Sequence, residues 1–122
     1  MFDHVGINVR DYRASRAFYE QALAPLGYTV AMAFDEWKAC GFGTDGKPTF
    51  WISEREPVGT GSHIAFTADD RATVDAFHAA ALAAGGVDNG APGIREHYHA
   101  NYYGAFMYDL DGNNVEAVCH TG

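Results

Sequence analysis

Three side chains of this 122-residue chain are suited to metal chemistry: His4, His63 and Glu116. His4 opens the run His4-Val5-Gly6-Ile7-Asn8-Val9, and His63 opens His63-Ile64-Ala65-Phe66. Glu116 interrupts the otherwise apolar Val115-Glu116-Ala117-Val118. Two imidazoles and one carboxylate suit Fe(II), Mn(II), Ni(II), Co(II) or Zn(II), and leave positions open for water or substrate. Taken singly, a histidine at a strand start reads as a solvated or hydrogen-bonded terminus. Two of them at equivalent positions of a repeat, joined by a glutamate on an apolar strand, outweigh that reading.

The repeat is internal. Sliding the chain by 59 residues places His4-Val5-Gly6-Ile7 on His63-Ile64-Ala65-Phe66, Phe18 on Phe77, Leu23 on Leu82 and Gly27 on Gly86. After a change of length, Asp45-Gly46 falls on Asp111-Gly112. Repeats of this kind are sought first because they fix the architecture. The chain reads as one domain, 1–122, built from module one at 1–56 and module two at 60–122.

The elements that must position the three donors follow from periodicity. Val5, Ile7 and Val9 alternate with His4, Gly6 and Asn8, as in a half-buried strand. Asp11 is placed to cap a helix whose apolar positions Ala14, Phe18, Ala22 and Leu23 run until Pro25 and Gly27. Short strands are expected at Thr29–Phe34, Trp37–Phe42 and Thr49–Ser53. The second half predicts a strand from His63, a helix over Asp69–Ala84, and strands near 92–96, 101–108 and 113–119. The fold class is therefore α+β: two paired βαβββ modules whose open, curved mixed sheet has helices on one face and a metal-binding cup on the other. Strand parity sends His4, His63 and Glu116 to the cup.

Aligning the turns Asp45-Gly46 and Asp111-Gly112 places Phe50 opposite Glu116, which makes Phe50 a wall of the cup. Glu96-His97-Tyr98-His99 reads as a polar loop beside the cup, with His97 and His99 as a proton shuttle or substrate contact. In Asn101-Tyr102-Tyr103, Tyr102 or Tyr103 can donate a hydrogen bond into the cup. His120 shares the parity of Glu116 but reads as part of a solvated tail.

Composition excludes several classes. Eight Lys and Arg against 16 Asp and Glu give a net charge of −8, which a nucleic-acid phosphate backbone would repel. No apolar run is long enough to span a bilayer. The chain is 48% hydrophobic and 20% charged, enough apolar material for a core and too little charge for disorder. Cys40 and Cys119 stand alone, as expected for reduced thiols in a cytoplasmic protein.

Taken together, His4-Val5-Gly6-Ile7-Asn8-Val9, Asp11, Phe18-Tyr19, His63-Ile64-Ala65-Phe66 and Asp109-Leu110-Asp111-Gly112-Asn113-Asn114-Val115-Glu116 resemble the vicinal oxygen chelate superfamily. That superfamily includes glyoxalases, bleomycin-resistance proteins and extradiol dioxygenases. The resemblance implies one divalent metal ion in the cup, His4, His63 and Glu116 as its ligands, and a substrate that chelates it through vicinal oxygens. It implies a homodimer as well. The glyoxalase pattern has a second carboxylate, which Phe50 would replace, so three ligands look more like a facial triad. The expected activity is that of a glyoxalase-like lyase or isomerase, or of an extradiol-type dioxygenase, with Glu116, a metal-bound hydroxide, or a nearby His or Tyr moving the proton. The alternative is a metal-free protein that sequesters a small molecule, as bleomycin-resistance members do.

Overall fold

The computed structural model describes residues 1–121. The first half runs β1 (Val5–Val9), α1 (Tyr12–Leu23), β2 (Thr29–Phe34), β3 (Ala39–Thr44) and β4 (Lys47–Glu54). The second repeats it as β5 (His63–Thr67), α2 (Arg71–Ala83), β6 (Val87–Ile94), β7 (Tyr103–Tyr108) and β8 (Asn114–Cys119). Each half forms a four-stranded sheet, ordered β1-β4-β3-β2 and β5-β8-β7-β6. The β1–β4 and β5–β8 pairs are parallel and the others antiparallel. The two sheets stay open, and the architecture is the expected pair of βαβββ units.

Local chemistry explains the helices. Asp11 and Asp70 each lie outside the helix in extended conformation and accept the backbone N–H three residues on, from Ala14 and Thr73. Each therefore satisfies a donor that the first turn leaves unpaired. α1 ends where Pro25 enters a 3-10 turn and Gly27, at φ 82°, closes it; only glycine takes that conformation without strain.

One face of each sheet meets its helix. Ile7, Val9, Cys40, Phe42, Phe50 and Ile52 are buried with Phe18, Tyr19, Ala22 and Leu23 of α1. Phe66, Ala105, Met107, Val115 and Ala117 are buried with Val74, Phe77 and Ala81 of α2. The halves join through these same faces: the ring of Phe50 meets Phe66 at 5.3 Å and Tyr28 meets Phe66 at 5.5 Å. A buried bond, 2.5 Å from the Tyr19 hydroxyl to Asp109 Oδ2, ties α1 to the β7–β8 turn. All of this forms one hydrophobic core, and both cysteines lie in it as free thiols.

Some boundaries differ from the sequence reading. β3 begins at Ala39, not Trp37, because Asp35–Trp37 form a 3-10 turn that Lys38 closes at φ 52°. β6 occupies Val87–Ile94 instead of 92–96, with register breaks on both sides of Gly90. β7 starts at Tyr103 instead of 101, while the segment holding His97 and His99 is a turn, in keeping with the polar loop expected there.

A candidate metal half-site on the second sheet

Period-two alternation puts His63 of β5 and Glu116 of β8 on the face opposite α2. β5 and β8 run parallel with Ala65 directly beside Glu116, and the small Ala65 side chain leaves room for the imidazole. His63 Nε2 lies 2.7 Å from Glu116 Oε1. The imidazole is 54% exposed and the carboxylate only 1%, so a buried anion meets solvent through the histidine. A buried carboxylate is costly unless its oxygens are bonded; the second oxygen, Oε2, accepts the Tyr102 hydroxyl.

Tyr102 lies at the end of a tight turn closed by Arg95 N–H to Tyr102 O at 2.7 Å and Tyr102 N–H to His99 O at 3.2 Å. Its ring is walled by Tyr98, His99 and His120, with centroids 4.7, 5.5 and 5.3 Å away. His99 and His120 bond to each other, Nε2 to Nδ1, at 2.7 Å. Since His99 Nδ1 accepts the Asn101 N–H, its ring proton sits on Nε2 and points at His120. Burial, and after it the bond to Glu116, pushes the Tyr102 phenol well above its ordinary pKa, so the hydroxyl keeps its proton. Phe106 completes the floor, between His63 at 6.3 Å and the guanidinium of Arg95 at 5.2 Å.

The other expected site residues fall elsewhere. His4 has cup parity but bonds Asp3 at 2.8 Å and is 58% exposed. It does not join His63 and Glu116: among the described residues, no three His, Cys, Asp or Glu side chains gather as a metal site. Tyr103 faces the helix side, where its hydroxyl donates to Asp75 of α2 at 2.6 Å and Arg71 covers its ring. His97 packs on Tyr98 at 4.2 Å.

Phe50 is the clearest correction. It is 1% exposed and packs edge-on against Tyr19 at 5.0 Å, on the helix side. The reason is a β-bulge. In the β3–β4 hairpin the register shifts between Phe42 and Gly43, which adds one residue after the turn glycine. β1 therefore pairs Gly6 with Trp51, whereas β5 pairs Ala65 with Glu116. Trp51, not Phe50, is the counterpart of Glu116. It lies over Gly41, where an added Cβ would come within 2.8 Å of its ring, and stacks with Phe34 at 6.2 Å and 6°. Glu54, the carboxylate four residues beyond Phe50, is tied to Lys38 at 3.0 Å and to the Tyr12 N–H.

Sequence reasoning missed the roles of His120 and Arg95; for His120 the parity with Glu116 was the available signal. A concavity of about 900 Å³ lies beside the N-terminus of α1 among Arg10, Arg13, Arg16, Lys38 and Glu54. Its charges are mostly bonded to one another, as in Arg16–Glu20, Arg16–Asp35 and Lys38–Glu54.

Among known proteins, the family described as the Glyoxalase/Bleomycin resistance protein/Dioxygenase superfamily matches residues 1–117. A glyoxalase/bleomycin resistance protein from Albidiferax ferrireducens T118 is 31% identical, with 99% of each chain covered and a TM-score of 0.84. A glyoxalase/bleomycin resistance protein/dioxygenase family enzyme from Burkholderia phytofirmans PsJN is 24% identical over 98% of each chain, with a TM-score of 0.72. A glyoxalase/dioxygenase from Nostoc punctiforme shares the fold at 19% identity and a TM-score of 0.72, covering 100% of this chain and 92% of its own. No curated protein matches the chain.

Proposed function

Because the chain belongs to the glyoxalase/bleomycin resistance protein/dioxygenase superfamily, we propose that it is a metal-dependent enzyme acting on a small molecule with vicinal oxygens. His63 and Glu116 supply two ligands from one chain, and His4 of the partner subunit supplies the third. The observation that carries this reading is the His63–Glu116 pair, an imidazole nitrogen and a carboxylate oxygen 2.7 Å apart on one open face. Two such donors suit a first-row divalent ion at adjacent positions. The third donor is assigned to another copy because, among the described residues, no three such donors gather within the chain. An open sheet edge also favours pairing with a second copy.

A bound divalent ion supplies Lewis acidity that polarises two neighbouring oxygens. The chain's own residues do the rest. His63 ligates through Nε2 only when its proton sits on Nδ1, so binding requires that tautomer. Glu116 leaves the centre net positive, which suits a substrate or intermediate with an anionic oxygen pair. The same carboxylate, buried and next to the substrate, is the group positioned to take and return a proton. Its reaction is of the glyoxalase-like lyase or isomerase type, or of the extradiol type.

One observation favours a second reading, metal-free sequestration. On the first sheet, the position equivalent to Glu116 holds Trp51, next to Phe34 and the 69% exposed Trp37. An aromatic wall there suits binding without chemistry. Metal analysis of the protein purified without chelators separates the two. Stoichiometric divalent metal, lost in His63→Ala with the fold intact, is the expected result. A metal-free protein that takes up no Fe, Mn, Ni, Co or Zn would favour sequestration.

A further inference from the structure

Glu116 has two oxygens and they are used differently. Oε1 faces His63, while Oε2 accepts the hydroxyl of Tyr102. We propose that Tyr102 is a positioning residue: by holding Oε2 it leaves Glu116 a single oxygen for the ion it shares with His63. This rests on the metal-dependent reading above.

The surroundings are built for that bond. Tyr102 and Glu116 converge over Gly104, where an added Cβ would lie 3.2 Å from the Tyr102 ring and 3.4 Å from Glu116 Oε2. Glycine is what lets both side chains lie against the strand. The ring cannot swing away freely, because Tyr98, His99 and His120 flank it and the His99–His120 bond ties two of these walls together. That bond joins the β6–β7 turn to the segment after β8, so two remote stretches of chain fix one phenol.

The consequence concerns open positions. Two histidines and one carboxylate oxygen would hold a divalent ion while leaving it places for a chelating substrate. A carboxylate free to bind through both oxygens takes up one of those places. Tyr102 thus keeps the site open without touching the ion, the way outer hydrogen bonds orient metal ligands elsewhere.

The test uses Co(II) alone as probe, on the full chain and on Tyr102→Phe. Co(II) affinity is expected to rise severalfold, because the freed Oε2 can join Oε1 on the ion, and the visible absorption per bound ion to change, since it reports coordination number. Tyr103→Phe removes a neighbouring phenol–carboxylate bond on the helix side and leaves both readings at wild-type values. If Tyr102→Phe loses its fold by circular dichroism, His120→Ala carries the test; it removes one wall and should shift both readings the same way by less. Tyr102→Phe, or in that case His120→Ala, with wild-type affinity and spectrum overturns the role of Tyr102 alone. A wild-type protein that takes up no Co(II) overturns the metal-dependent reading as well.

Discussion

At the scale of single residues, one register step decides the chemistry of the first sheet. Phe50 and Trp51 are adjacent, yet one sits in the core and the other on the open face. Trp51→Glu should therefore add a carboxylate opposite Glu116 across the completed site. Calorimetric titration with Mn(II), Ni(II) and Zn(II) should show tighter binding than wild type. Phe50→Glu should instead destabilise the fold by at least about 3 kcal/mol in denaturant titrations, because it removes a packed ring and buries a charge. Equal metal affinity in Trp51→Glu and wild type would argue against the equivalence of Trp51 and Glu116. His63 and Glu116 were legible in the sequence because strand parity needs only alternation. The Trp51 position was not, since a bulge leaves no mark in composition or period. Nor was the tie between Tyr102 and Glu116, which depends on how a turn folds back.

At the scale of elements, the repeat predicted both helices to within two residues, because aspartate caps and the 3.6-residue period are local signals. Strands were read less well wherever the backbone departs from regular pairing. The β3–β4 hairpin shows why: a Cβ added at Gly43 would lie 1.7 Å from the Lys47 carbonyl oxygen. Glycine permits that close approach and with it the bulge. Gly43→Ala should cost about 3 kcal/mol, the upper end of overpacking penalties, measured by urea denaturation. A neutral outcome would mean that the hairpin accommodates another register. The segment holding His97 and His99 reads as a polar loop, and the backbone bonds from Arg95 to Tyr102 make it a turn, from which His99 reaches the Tyr102 ring.

At the scale of the whole molecule, the helix-side faces of both sheets form one core. The buried Tyr19–Asp109 bond joins the two halves. Burial, and then Asp109, raise the Tyr19 phenol well above its usual pKa. The folded state thus holds this proton more tightly than the unfolded chain, whose tyrosine titrates at about 10. The stabilisation is complete below that pH and is lost as pH rises beyond it. Tyr19→Phe should cost roughly 1.5–3 kcal/mol at neutral pH and make the alkaline loss of stability shallower in melts across pH 8–11. An unchanged alkaline profile would assign that loss to other groups, Tyr12 among them, whose phenol is pushed up to about 12 mainly by burial and then by Asp35.

The central claim, that His63 and Glu116 of one chain share an ion with His4 of the partner subunit, is tested most directly by complementation. His4→Ala and His63→Ala are each expected to bind no stoichiometric Co(II). Unfolded together in equal amounts and refolded, half of their dimers should be mixed, and each mixed dimer regains one of two sites. Metal content should then return to about a quarter of the wild-type level by statistical assortment. A refolded mixture that binds no more Co(II) than the separate variants would contradict a site shared between chains.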